Sequence, residues 1–306
     1  MLINYKMSLH LFKFKEAIPG RYLSALPSYF RVSNSTTYDI LVIRLLTSTI
    51  DIEIKKDSSR IRLNHNFFEF PKVLVTRKST KQIRETLDPF KFEQYSKYSK
   101  KFYGRNINFY NNLLNELTFY FFYTNNKQNQ SAFVNLYRIL EFVSYSFPLI
   151  HASNYGNFAG SFNALKEYFV DDKTSEIKFF EKFIGNLFRG KPYLGYSTVF
   201  DFSSSDSIVS TNCYDIFYSL MKPADWLLAD PLTFTLSIEN SKLIALFKNT
   251  RNRYFHFAIG GWQRNIHSSD LKDPDFFFRC INDCFLNWLA CIYKEIIVES
   301  VDNSTT

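Results

Sequence analysis

The hexapeptide at residues 251–256 (Arg-Asn-Arg-Tyr-Phe-His) holds an arginine and a histidine separated by four residues. RNA is cut without a metal when its 2′-hydroxyl attacks the neighbouring phosphate. That step needs a proton acceptor, a proton donor for the leaving 5′-oxygen, and positive charge beside the phosphorane. Histidine titrates near neutrality and serves in either proton role, whereas arginine stays charged and matches phosphate oxygens with two parallel donors. The hexapeptide therefore indicates phosphodiester cleavage.

A second match to this spacing occurs at Arg60 and His65, so the motif alone has low specificity. The residues around Arg60 alternate as in a strand, where an odd spacing sends Arg60 and His65 to opposite faces. On a helix, Asn252 and His256 share a face, and Arg251 is offset from His256 by about 140°. The long arginine side chain can cover part of this offset. We therefore predict a site at 251–256 and none at 60–65.

The pattern Arg-Asn-x-x-x-His between two helices of an α-bundle resembles the signature of the HEPN superfamily, many of whose members are metal-independent ribonucleases. The resemblance implies that Arg251 and His256 are catalytic and that Asn252 orients them or the phosphate. It also suggests Arg253 and Glu141 as substrate-binding residues. RNA is the implied substrate, no metal or other cofactor is expected, and two copies of the chain are expected to form a homodimer with both motifs in one cleft.

The tract Leu136–Glu141 on the first helix of the predicted bundle is similar to the opening helix of the ApeA-like antiphage branch of that superfamily. This implies a role in antiphage defence, abortive infection or a toxin–antitoxin pair, with a phage protein or an antitoxin as a further partner. The resemblance covers about residues 131–299. The first 130 residues resemble no family that we can name.

Other interpretations of the same residues remain open. His256 lies between two phenylalanines and is also explained as a core histidine, while Arg251 is also explained as a helix cap or the partner of an acid. Glu141 and Arg138 fit a surface ion pair three residues apart. The chain as a whole is also compatible with a non-catalytic HEPN-like module that binds nucleic acid or protein, or with a helical interaction protein that carries the motif by chance.

The elements expected around the motif give an α+β chain: a mixed N-terminal domain with some β-strands (residues 1–125), followed by an all-α HEPN-like bundle (131–299). A polar break at Thr124–Gln130 is the predicted linker.

The predicted strands are Tyr38–Leu46, Ile50–Ile54 and Arg60–Leu63, the last two joined by a hairpin turn. The predicted helices are Asn106–Tyr123, Ser131–Ile150 (capped by Ser131 and broken near Pro148), Phe158–Phe169, Ser175–Phe188, a segment within Leu236–Phe257, and a longest helix from Asp273-Pro274 to Glu299, with a loop at Gly190–Ser210.

The net charge of +8 over 306 residues is unevenly distributed. The segment Ile52–Arg105 contains 14 Lys and Arg against 6 Asp and Glu, whereas residues 131–306 contain 16 against 19. Such a basic segment is typical of a surface that faces a polyanion, although a solvated face without a ligand explains it equally well. An aromatic content of 19% excludes a disordered or collagen-like chain.

The four cysteines, Cys213, Cys280, Cys284 and Cys291, are expected to be buried thiols, because they lack the spacing of a zinc site. Charged residues interrupt the apolar pattern of the first 20 residues, which argues against a signal peptide. No run of 18 uncharged apolar residues occurs, so no membrane span is expected. These features predict a reducing, cytoplasmic location and no membrane partner.

Overall fold

The computed structural model describes residues 11–153, 166, 176–255 and 265–305. In this part of the chain the helices are α1 (Gly20–Leu23), α2 (Tyr38–Leu46), α3 (Thr80–Leu87), α4 (Phe92–Phe102), α5 (Ile107–Asn125), α6 (Asn129–Ser153), α7 (Glu176–Leu187), α8 (Ser207–Tyr218), α9 (Leu243–Phe255) and α10 (Pro274–Thr305). The strands are β1 (Phe12–Glu16), β2 (Ile50–Ile54), β3 (Arg60–Ile61), β4 (His65–Asn66), β5 (Val73–Leu74), β6 (Ser197–Asp201), β7 (Trp226–Asp230) and β8 (Thr235–Glu239). The fold is α+β, as predicted.

The N-terminal sheet has the order β1-β2-β3, and both pairs are antiparallel. The expected hairpin between β2 and β3 is confirmed, with Ile52 opposite Ile61. Alternation of apolar and charged residues predicts these strands because successive side chains point to opposite faces. The charged face of β2 is itself covered in part, since Asp51 is buried and forms an ion pair with Lys78 at 2.6 Å. A second sheet pairs β4 with β5.

The run Tyr38–Leu46, predicted as a strand, is the helix α2, so that prediction is wrong. Every residue from Asp39 to Leu46 is buried, and α2 packs against α5 and β2. Asp39 and Arg44 are buried together with the apolar residues, so no exposed polar face with a 3.6-residue period distinguishes this run from a buried strand. Arg44 of α2 is fully buried, and its guanidinium donates to both carboxylate oxygens of Glu16 at the end of β1.

Helices α5 and α6 form a hairpin whose turn lies within the predicted linker. Helix α5 ends at Asn125 and α6 begins at Asn129, with Lys127 in the left-handed region at φ 57°. The two helices pack along each other, and one cluster of buried apolar side chains extends from the N-terminal sheet to α10. The break is thus a tight turn between packed helices. The division into domains at residues 1–125 and 131–299 stays a prediction.

Helix α6 confirms the helix predicted over Ser131–Ile150, but both of its ends differ from the prediction. It begins at Asn129 rather than at a Ser131 cap, because Asp275 of α10 accepts hydrogen bonds from the backbone N–H groups of Asn129 (2.7 Å) and Gln130 (3.2 Å). It also continues past Pro148 to Ser153. Packing of α6 against α5, α7 and α10 compensates for the hydrogen bond that the proline cannot make.

The C-terminal half contains a three-stranded antiparallel sheet of order β6-β8-β7, so the prediction that residues 131–299 are all-α is wrong. Strand β6 lies within the predicted loop Gly190–Ser210, and β8 covers the first residues of Leu236–Phe257, the range predicted to contain a helical segment. Helices α7, α9 and α10 match predicted helices, and Asp273 caps the start of α10 through the backbone N–H of Phe276 (2.9 Å). The predicted helix Phe158–Phe169 lies outside the described residues, except for position 166.

The helices that carry the predicted site are joined by phenylalanines. Phe133 of α6 packs against Phe247 of α9 and Phe278 of α10, with ring centroids 5.3 and 4.9 Å apart. Phe247 also stacks on Phe285 of α10 at 4.2 Å. These rings hold α6 and α9 side by side. Within the described residues, no helix has the length and apolar character needed to cross a membrane.

Candidate functional site

Arg251 and Asn252 lie in the last two turns of α9, on a helix that is held against α6. Arg251 donates from Nη1 to the side-chain oxygen of Asn252 at 3.1 Å. The prediction that Asn252 orients the arginine is compatible with this contact. His256 lies outside the described residues, so its role stays a prediction.

The guanidinium of Arg251 lies over the ring of Tyr137, with Cζ 4.8 Å from the ring centroid. Its Nη2 is 3.8 Å from Oε1 of Glu141, one turn further along α6. The Arg251 side chain is 25% exposed and that of Glu141 is 47% exposed. The structure thus brings together two of the predicted site residues from different helices and leaves the arginine side chain partly exposed.

Glu141 and Arg138 each lie against a different partner, and not against each other as in the expected surface ion pair. Arg138 lies instead against Glu116 of α5, with Nη1 3.5 Å from Oε1. Burial raises the pKa of Glu116, and Arg138 opposes that shift. Glu141 instead lies beside Arg251. This contact supports the interpretation of Arg251 as the partner of an acid.

Tyr137 is the part of the site that sequence analysis did not single out. Its side chain is 7% exposed, and its ring meets Phe247 edge to face at 5.8 Å. Phe247 in turn stacks on Phe285 in the core, so the position of the Tyr137 ring beneath the arginine is fixed by packing. Tyr137 precedes Glu141 by one helical turn, and this i, i+4 spacing is the signal that could have found it.

Arg253 is turned away from this group, since residues two apart on a helix differ by about 200°. Its Nη1 donates to the backbone oxygen (2.8 Å) and the hydroxyl (3.0 Å) of Ser219, at the end of α8. Burial lowers the pKa of Arg253. These contacts anchor α8 to α9, and a role of Arg253 in binding substrate stays a prediction.

The second Arg…His match is divided between two sheets. Arg60 is in β3, with Nη1 3.9 Å from the carboxylate of Asp51, whereas His65 is in β4. This arrangement agrees with the expectation that residues 60–65 do not form a site.

A hydrogen-bonded cluster that the sequence does not indicate lies between β4, α5 and α10. Lys72 forms an ion pair with Asp283, and the hydroxyl of Tyr120 donates to the same carboxylate at 2.7 Å. Burial and the nearby Lys72 lower the pKa of His65, and Asp283 acts in the opposite direction. The cluster ties the N-terminal half to α10. Its members come from segments that are far apart in the sequence, so no local sequence pattern predicts the cluster.

The cysteines are free thiols, and burial raises the pKa of each to about 12. A thiol with such a pKa is almost entirely protonated at neutral pH and is a poor nucleophile. Among the described residues, no group of three or more His, Cys, Asp or Glu side chains could hold a metal ion.

Comparison with known proteins finds no matching family model, no matching curated protein and no matching solved structure. The resemblance to the HEPN superfamily therefore rests on the hexapeptide and its helical setting.

Proposed function

We propose that the protein is a metal-independent endoribonuclease of HEPN type that acts in the cytoplasm in antiphage defence or as a toxin. The observation that carries the proposal is the position of Arg251. Its partly exposed guanidinium is held on the Tyr137 ring, five positions before His256 in the chain. A partly exposed, oriented guanidinium of this kind suits a phosphate, because its planar donors are already positioned.

In the proposed reaction, a base removes the proton of the 2′-hydroxyl as its oxygen attacks the adjacent phosphorus. The bond from phosphorus to the 5′-oxygen breaks, and an acid protonates the leaving oxygen. The products are a 2′,3′-cyclic phosphate and a 5′-hydroxyl. Arg251 stabilises the charge on the phosphorane, and His256 supplies one of the two proton transfers. A second copy of the motif in a homodimer supplies the other.

The test is cleavage of a 5′-labelled RNA in excess EDTA by the wild type and by the variants Arg251→Ala and His256→Ala. We expect the wild type to leave a cyclic phosphate end, and each variant to be at least about 100-fold slower, as for the loss of one stabilising donor. Arg62→Ala and His267→Ala, at exposed positions, are the matched controls and should cleave normally. Cleavage that requires magnesium, or that survives either site substitution, contradicts the proposal.

A non-catalytic HEPN-like module that binds nucleic acid or protein is the second candidate, and the ion pair between Arg251 and Glu141 favours it. A guanidinium that is neutralised by an acid can simply join α9 to α6. For this candidate we expect no cleavage by the wild type and a lower melting temperature in Arg251→Ala. Cleavage by the wild type that is lost in a stably folded Arg251→Ala variant excludes it.

A further inference from the structure

Helix α4 divides into a buried face and a strongly basic face. Tyr95 and Tyr98 are 1% and 6% exposed and pack into the core. Four exposed cationic side chains, which we call the α4 stripe, follow the opposite face and the turn after it: Lys97, Lys100, Lys101 and Arg105. Lys97 lies three and four residues before Lys100 and Lys101, so its Cβ atom is about 5–6 Å from theirs. Lys100 and Lys101 are in the last turn of α4, where the helix dipole favours cations, so the stripe places several like charges close together on an element that tolerates them.

The α4 stripe contrasts with several basic residues of the N-terminal half that are neutralised by a described acid. Lys72, Lys78 and Lys81 each lie within 4.0 Å of an acid. Among the described residues, no such ion pair involves the four side chains of the stripe, although Glu93 lies on the same face of α4. The stripe is therefore an uncompensated cationic surface, and it attracts a polyanion through the release of counterions.

The surface at the C-terminal end of α4 continues along α6 towards Arg251. A cavity of about 230 Å³ lies between the end of α4 and the C-terminal turns of α6, and its lining includes Phe102, Asn106 and Leu149. Along α6, exposed side chains continue from Leu149 (49%) through Tyr145 (44%) to Glu141, the partner of Arg251. Eight residues of helix separate Leu149 from Glu141, a rise of about 12 Å. An exposed aromatic ring between two cationic sites is typical of surfaces that bind single-stranded nucleic acid.

We propose that the α4 stripe binds the phosphate backbone of a nucleic acid strand that extends along α6 to Arg251. The choice of RNA as that strand rests on the proposed function. A bilayer surface is a poorer fit, because a helix that lies in a membrane must insert its apolar face, and α4 has buried that face in the core.

The experiment measures binding of a fluorescein-labelled 2′-deoxy oligonucleotide, which has no 2′-hydroxyl and is not cut. The test variant replaces the four cationic residues of the α4 stripe with glutamine. The control variant replaces four exposed lysines of the C-terminal half with glutamine, Lys178, Lys182, Lys222 and Lys272, and so changes the net charge by the same amount. Fluorescence anisotropy at 50–300 mM salt gives the affinity and its salt dependence.

We expect the α4 variant to bind at least tenfold more weakly than the wild type. The slope of the logarithm of the association constant against the logarithm of the salt concentration should become shallower by about 3, since each single-strand phosphate contact contributes about 0.7 and four cations are removed. The control should remain within about twofold of the wild type. Equal losses in both variants, or no loss in the α4 variant, overturn the proposal, as does equally tight binding of the wild type to vesicles containing phosphatidylserine.

If the fourfold variant does not fold by circular dichroism, Lys97→Gln/Lys100→Gln is used, with an expected change in slope of about 1.4. A slope unchanged from that of the wild type then overturns the proposal. Because the oligonucleotide is not cleaved, this result is independent of the ribonuclease assay. Normal binding through the stripe without RNA cleavage refutes the proposed function alone, whereas cleavage without a contribution of the stripe to binding refutes this inference alone.

Discussion

Replacing Glu141 with glutamine tests whether the carboxylate competes with a phosphate for Arg251. In the structure, Oε1 of Glu141 lies 3.8 Å from Nη2 of Arg251. A phosphate bound at the exposed part of the guanidinium lies near this carboxylate, which repels it and offsets the charge of Arg251. Glutamine keeps the size of the side chain and removes both effects. We therefore expect Glu141→Gln to bind phosphodiesters more tightly than the wild type.

The size of this effect follows from the distance and the exposure of the pair. At 3.8 Å in a medium of dielectric constant about 80, two unit charges attract each other by about 1 kcal/mol. That dielectric constant is appropriate because the Glu141 side chain is 47% exposed, and exposed pairs are worth about 0–1 kcal/mol. The expected gain is therefore at most about fivefold in affinity, from 1 kcal/mol at room temperature. The free energy of unfolding should fall by less than about 1 kcal/mol.

Isothermal titration calorimetry with a 2′-deoxy dinucleotide at low salt measures the affinity. Glu181→Gln, an exposed acid on α7, is the matched control for the change in net charge and should leave the affinity unchanged. The gain in Glu141→Gln should shrink as salt is added, since both charges become screened. Weaker binding by Glu141→Gln refutes this reasoning and indicates that Glu141 contacts the substrate itself.

Three further predictions concern the scaffold. Arg44→Met should lower the free energy of unfolding, measured in urea, by about 3 kcal/mol, because it leaves the carboxylate of Glu16 without its buried partner. A loss below about 1 kcal/mol contradicts this account. The pKa of His65 is lowered in the folded state, so the unfolded state takes up a proton more readily and stability falls as the pH drops below about 6.5. His65→Asn should reduce that fall, and an unchanged pH profile refutes the assignment. All four cysteines should react with a thiol reagent at pH 8 at least about 100-fold faster in urea than in the native protein, since burial raises their pKa to about 12. Equal reaction rates in urea and in the native protein contradict the raised pKa values.

Local patterns were sufficient where charged or capping residues occur at a regular spacing. The hairpin of β2 and β3 followed from the alternation of charged and apolar residues around Ile52, and the start of α10 followed from Asp273 and Pro274. Every residue from Asp39 to Leu46 is buried, so this run has no exposed face, and its many β-branched and apolar residues predict a strand. Only its packing against α5 and β2 decides in favour of a helix.

The C-terminal sheet was missed for a different reason. Phe234, Leu236 and Ile238 alternate with polar residues, which is a strand pattern, but the range from Leu236 to Phe257 was considered only for a helical segment. Helix α9 lies in that range, and β8 precedes it, paired with β6 on one side and with β7 on the other. The strands beside β8 come from other parts of the chain, so only the tertiary structure identifies them.

For the candidate site, the amino-acid sequence by itself determined the spacing of Arg251, Asn252 and His256 along the chain, and the concentration of basic charge between residues 52 and 105. The tertiary structure decided which side chains surround Arg251. Tyr137 and Glu141 reach it because the phenylalanine core presses α6 against α9, a contact between segments more than 100 residues apart. Short-range spacing sets the order of chemical groups, but packing of distant segments sets their environment, and the environment determines which groups are neutralised and which remain available to a ligand.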